Sequence, residues 1–327
     1  MKTCLVRLEL LLLVLLSSCL STQSKKSAVQ QEKPFRIAVI SDLNSSYGSI
    51  TYNKEVAATL NELALLKPDL ILCAGDMVAG QKQSLSEENI RAMWQGFKST
   101  VLQPINNTHT PFGFTLGNHD ASPSYKLDRA IASQFWKDNV GATNLQFIDS
   151  SHYPFYYSFL QNNVFVLSWD AAGARVPAEV YTWMHMQLNS NAGRAANLRI
   201  VLGHLPLYPI VSAKNKPGEV NAAADSSLVF FKKNGVDLYI SGHQHAFYPA
   251  KKDGLSLLNA GCIGDGERPI MGDTVARKAY SIIEVPVRDA KKFTYKTYNP
   301  VSHQPIEAAW LPSSVSGFNG VVEKDSR

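Results

Sequence analysis

Five apolar runs in this chain each break off at a short cluster of donor side chains, and that arrangement limits the fold more than any other feature. Phe35 to Ile40 ends at Ser41-Asp42, Leu70 to Ala74 at Gly75-Asp76, and Phe112 to Leu116 at Gly117-Asn118-His119-Asp120. Arg199 to Leu202 ends at Gly203-His204, and Val236 to Ile240 at Gly242-His243-Gln244-His245. Short continuous apolar runs of this kind read as strands buried on both faces. Oxygen and nitrogen donors gathered at strand ends are how an α/β sheet builds a metal site.

Helical patterns lie between the runs. Val56, Leu60 and Leu63 recur at helical spacing in Lys54 to Leu66, which Pro68 closes. Ser84 and Glu87 read as a capping box for a helix with Ile90, Met93, Trp94, Phe97 and Val101 on one face. Further helices are expected over Tyr125 to Asn139, from Pro177 to Leu188, and over Ser226 to Lys233, where Gly235 stops the last. Leu145 to Ile148, Phe155 to Phe159 and Val164 to Trp169 follow one another closely, so antiparallel pairs mix with the parallel strands. Leu255 to Leu258, Ala279 to Val285 and Phe293 to Tyr298 read as closing strands. The expected fold is α/β: two packed mixed β-sheets flanked by helices, in one domain over residues 34–311. Residues 312–327, rich in Ser and Gly, read as a flexible tail.

The N-terminus reads as a targeting segment over residues 1–18. Lys2 and Arg7 precede the apolar stretch Leu8 to Leu16, interrupted at Glu9 and followed by Ser17-Ser18-Cys19. That ending resembles the lipobox of bacterial lipoproteins, in which Cys19 would carry lipid; the alternative is a plain signal peptide with an unmodified cysteine. Leu20 rather than Asp after the cysteine points, in a Gram-negative host, to the outer membrane. Residues 19–33 form a polar tether. The expectation is an exported protein held to a membrane through its N-terminal lipid, facing the periplasm or the cell exterior. The net charge of +5 is spread over distant pairs such as Lys232-Lys233 and Lys291-Lys292, so charge gives no argument for nucleic-acid binding. Apart from Cys4 and Cys19, Cys73 and Cys262 remain, and their spacing requires no disulfide.

The five clusters, in this order, resemble those of the calcineurin-like metallophosphoesterase superfamily over Asp42 to His245. The resemblance implies a four-layer sandwich holding two divalent or trivalent metal ions: iron, manganese or zinc. Asp76 matches the carboxylate that bridges both metals. Asn118, His204 and His243 match ligands of the second metal, and Asp42 and His245 ligands of the first. His119 matches the histidine that meets the substrate and assists the leaving group, with Asp120 expected to orient its ring. The implied reaction is hydrolysis of phosphomonoesters or phosphodiesters in a phosphorylated small molecule, by attack of a hydroxide bridging the metals.

The sequence departs from the family at one ligand position. The usual Asp-x-His is here Asp42-Leu43-Asn44. Asn44 either ligates through its carbonyl oxygen, or steps back and leaves a position for water, or weakens the first site enough to abolish turnover. The last outcome would make the chain a phospho-ligand-binding envelope lipoprotein on a lapsed phosphoesterase fold. Tyr47 is near enough in sequence to supply a phenolate instead. Around the site, Tyr208 and Tyr248 follow the histidine clusters and offer rings for stacking on a base or sugar. Arg268 either clamps a phosphate or is a solvated loop charge, and Asp170 ends a strand within reach of the His204 region.

Overall fold

The computed structural model describes residues 33–327; the leader, Cys19 and all of the tether except Lys33 lie outside them. In chain order the strands are β1 (Phe35–Ile40), β2 (Leu70–Cys73), β3 (Phe112–Phe114), β4 (Phe147–His152), β5 (Tyr156–Gln161), β6 (Val164–Ser168), β7 (Leu198–Leu202), β8 (Leu238–Ser241), β9 (Phe247–Lys252), β10 (Leu255–Ala260), β11 (Tyr280–Val285), β12 (Thr294–Tyr298), β13 (Ser314–Gly317) and β14 (Gly320–Lys324). The helices are α1 (Lys54–Leu66), α2 (Glu87–Phe97), α3 (Gln103–Asn107), α4 (Asn118–Ala121), α5 (Lys126–Asp138), α6 (Ala178–Leu188), α7 (Asn191–Ala195) and α8 (Ala224–Lys233).

The strands form two mixed sheets, a five-stranded one in the order β12-β11-β1-β2-β3 and a nine-stranded one in the order β13-β14-β9-β10-β8-β7-β6-β5-β4. β1, β2 and β3 pair in parallel, as do β6, β7 and β8. Parallel neighbours need crossovers, and α1, α2 and α8 lie in three of them. Strands of one direction end on one edge, so each set of parallel strands delivers its terminal clusters to a common place. The runs are continuously apolar because helices or the other sheet cover both faces: Ile37, Val39, Leu72, Phe114, Ile200 and Ile240 are all buried.

Local chemistry sets the helix ends. The Asn53 side chain accepts from Val56 N at 3.3 Å to start α1, and Lys67, in the left-handed region at φ 49°, donates to Leu63 O at 2.9 Å to end it. α2 starts two residues later than the expected capping box. Ser86, not Ser84, accepts from Asn89 N at 3.2 Å, because its extended backbone points the hydroxyl back at the first turn.

Residues after the last histidine cluster form β9, antiparallel to β10. A further expectation is corrected. The expected flexible tail is a hairpin: β13 pairs with β14, and Lys324 and Glu323 register with Ala250 and Lys251 of β9. Val315 and Val322 are buried, and Ser256 Oγ donates to Asp325 Oδ2 at 2.6 Å. The hairpin covers an edge that β9 would otherwise leave unpaired. Cys73 and Cys262 are buried free thiols.

Candidate metal centre

The ends of β1 and β2 are stitched together by their backbones. Asp42 N donates to Gly75 O at 2.9 Å, while Leu43 N and Asn44 N donate to Asp76 O at 2.9 and 3.2 Å. Asp42, Asp76, His243 and His245 all occupy the left-handed region, with φ of 50, 53, 67 and 53°. Side chains rarely adopt that conformation, and its concentration here marks a functional cluster held by its surroundings. Two glycines admit the carboxylates. A Cβ on Gly117 would lie 2.1 Å from Asp76 Oδ1, and one on Gly242 would lie 2.7 Å from Asp42 Oδ2.

Two donor groups result, and they share Asp76. Asp76, His204 and His243 form one, and Asp42, Asp76 and His245 the other; all are buried, with donor atoms within 4.8 Å of one another in each group. Asn118 joins the first group, its Oδ1 3.0 Å from His204 Nε2 and 2.8 Å from His243 Nδ1. The outer ring nitrogens are already committed: His204 Nδ1 donates to Ala74 O at 2.7 Å, and His245 Nδ1 to Asp265 O at 2.9 Å. With these rings neutral, the inner atoms are lone pairs facing lone pairs. Asp76 Oδ2, 3.3 Å from His204 Nε2, is buried without a hydrogen-bond partner among the described residues. His245 Nε2 lies 3.2 Å from Asp42 Oδ1. Acceptors converging on one another in a buried place need a cation between them. The donor set of carboxylates, imidazoles and an amide fits metal ions at two groups that have Asp76 in common.

The electrostatics agree. Burial raises the Asp76 carboxyl, but His204 and His119 outweigh it and hold it well below the usual carboxylate range. Burial disfavours a charged His204, yet Asp76 overrides it and the ring is pushed up to about 9. Burial and then the Lys214 ammonium push His243 down to about 3. Without metal, the His204 ring takes the positive charge that the cluster requires.

Asn44 is buried close after Asp42, and its backbone carbonyl accepts from Asp265 N at 3.1 Å. His119 Nδ1 lies 3.1 Å from Gly80 O, leaving Nε2 4.0 Å from Asp76 Oδ2, and Tyr47 packs on the ring with centroids 5.1 Å apart. Tyr47 thus sits against His119 at the mouth of the cleft. Asp120 does not orient that ring. Its oxygens accept from Met77 N, Val78 N and Gly117 N at 2.8, 2.9 and 2.7 Å, so it locks the β2 and β3 loops together. Burial and then the Asp76 charge push its carboxyl up to about 7.

The cleft over the cluster encloses ≈ 660 Å³, and its lining includes Tyr47, Gln81, His119, Arg175, Lys214, Glu219 and Arg268. Tyr208 and Tyr248 are not substrate residues. Both are buried in the core, and their hydroxyls donate to Asp225 Oδ1 at 2.6 Å and Pro312 O at 3.0 Å. Neither lines the cleft. Asp170 pairs with Arg129 rather than with His204. Lys214, Glu219 and Gln81 carry no motif. Only the turn signal Pro217-Gly218 before Glu219 marks the loop that brings the first two to the site.

Residues 35–247 match a family model described as calcineurin-like phosphoesterase. No curated protein matches the chain. Among solved structures, the fold is similar to that of a purple acid phosphatase from yellow lupin (Lupinus luteus) seeds, at TM-score 0.61 and 14% identity, covering 85% of this chain and 53% of that one. The chain thus spans about half of the lupin enzyme. A dimetal phosphatase from Danio rerio aligns at TM-score 0.55 and 12% identity, over 84% of this chain and 98% of that one. The anchor in the inner membrane complex of Plasmodium aligns at TM-score 0.54 and 14% identity, over 84% and 88%.

Proposed function

We propose, from the premise that this chain belongs to the calcineurin-like phosphoesterase family, that it hydrolyses phosphomonoesters or phosphodiesters of small molecules with two bound metal ions. The observation that carries this reading is the pair of buried donor groups sharing Asp76 beneath a cleft that holds His119. Asp76 would bridge, Asn118, His204 and His243 would hold one ion, and Asp42 and His245 the other, with Asn44 offering an oxygen. Iron, manganese or zinc bound there supplies Lewis acidity toward the phosphoryl oxygens and activates water.

The chain's own residues supply the rest. His119 keeps a hydrogen on Nδ1 for Gly80 O, so Nε2 is the atom that meets substrate, and protonated it donates to the departing oxygen. Lys214 and Arg268 face the same space and offset phosphoryl charge; Arg268 Nη1 is buried with no partner among the described residues. The test is metal content of the purified protein beside hydrolysis of a chromogenic monoester and a chromogenic diester. Two ions with turnover on either ester support the reading, and two ions with no turnover on any ester sink it.

Asn44 favours a second reading, a phospho-ligand-binding protein on the same fold. Substituting Asn44→His separates the two. Turnover gained from an inactive protein points to a lapsed site, and turnover already present without it rules that out.

The order of basic residues, apolar run and Ser17-Ser18-Cys19 supports placing the protein outside the cytoplasm on a lipid anchor. Cys19→Ser should move it from the membrane fraction to the soluble one; retention on the membrane would remove the anchor.

A further inference from the structure

We propose that Glu219 is a positioning residue that sets His243 as a donor to the second metal ion, an inference that rests on the metal centre in the reading above. Glu219 Oε2 lies 2.7 Å from His243 Nε2. A carboxylate accepts and does not donate, so Nε2 carries the ring hydrogen. Nδ1, 2.8 Å from Asn118 Oδ1 inside the donor group, is then the lone-pair atom. The opposite tautomer would turn an N–H toward the metal position and face a ring lone pair to the carboxylate. His204 and His245 gain the same orientation from the carbonyls of Ala74 and Asp265. His243 relies instead on a side chain from the connection between β7 and α8.

That connection is itself held. Gln244, between the two histidines of the last cluster, accepts from Ile210 N at 3.1 Å and Val211 N at 3.3 Å and donates to Glu219 O at 3.4 Å. Its outer side rests on the tip of the β13–β14 hairpin. Phe318 N donates to Asn215 Oδ1 at 2.7 Å, and Asn319 Nδ2 to Leu207 O at 2.9 Å. The hairpin lies beyond residues 35–247, the part that matches the family model. A segment outside the family's common region thus braces the loop that orients one of its ligands.

The test is calorimetric titration of the chelator-stripped full chain with Mn²⁺ or Zn²⁺, with turnover measured separately. The wild type should take two ions. Glu219→Ala should weaken one site by roughly 10–100-fold and leave the other within about twofold, the scale of losing a partner of a ligating histidine. Glu219→Gln, which keeps an oxygen acceptor for Nε2–H, should recover much of that loss. Asn319→Ala should weaken the same site by a smaller factor. Wild-type affinity in Glu219→Ala, equal losses in the Ala and Gln variants, or loss at both sites would each overturn the assignment. Binding of fewer than two ions by the wild type would remove the metal centre and the assignment with it. Two ions and the expected losses, without turnover on any ester, would leave Glu219 in its role and sink only the hydrolase reading.

Discussion

Gln81 Oε1 accepts a hydrogen bond from Asn118 Nδ2 at 2.6 Å, and this fixes which end of the Asn118 amide faces His204 and His243. An amide has a donor end and an acceptor end, and only the oxygen can ligate a cation. Gln81 itself stands in the left-handed region at φ 65°, just past the β2 loop. Gln81→Ala should therefore weaken the second metal site by about tenfold, on the lower side of the range for such supporting partners. Calorimetric titration of that variant reads the effect, and an unchanged affinity would show that Asn118 needs no such support.

His119 approaches the donor groups without belonging to either of them. His119→Ala should keep two ions per chain and lower turnover by about 10²–10⁴-fold, the scale of acid–base assistance. Elemental analysis beside kcat decides it. A variant that loses an ion would make His119 a ligand.

Metal binding should depend on pH through His204. In the metal-free protein its ring is pushed up to about 9, so at neutral pH it carries the proton that a cation must displace. Affinity should rise with pH until about 9, and loading at neutral pH should release about one proton from this ring. Calorimetry in two buffers of different ionisation enthalpy counts the proton. Release of none would mean that His204 is neutral before metal arrives.

Removing residues 312–327 should destabilise the fold rather than trim a tail. Val315 and Val322 are buried, and Ser256 and Tyr248 both lose hydrogen-bond partners. The two valines alone account for roughly 3–6 kcal/mol. A urea midpoint unchanged by the truncation would restore the view of this segment as a flexible appendage.

Much of the fold was legible along the chain because burial on both faces leaves a plain mark. Leu70–Cys73 and Leu198–Leu202 are apolar through almost every residue, and a run that short and that apolar has few other readings. The donors are legible for a related reason: they stand directly after those runs. The hairpin leaves no such mark, because each of its strands turns only one valine into the core, at Val315 and Val322, among Ser, Gly and charged residues. Ser84 and Ser86 are equally good caps by composition, and the choice between them is made by backbone direction.

The succession of buried strands along the chain and the donors that follow them were therefore legible in the sequence alone, since periodicity is a local property; that these donors converge on one centre was what the resemblance implied. Partnership was not legible there. Asp120 stands beside His119 in the chain, yet its oxygens serve the amides of Met77, Val78 and Gly117; Glu219 stands far from His243 and meets its ring. Tyr208 and Tyr248 follow ligand clusters but face the core. Such contacts depend on which faces are brought together when the two sheets pack, and a hydrogen bond is decided by a few tenths of an ångström that only the packed chain defines.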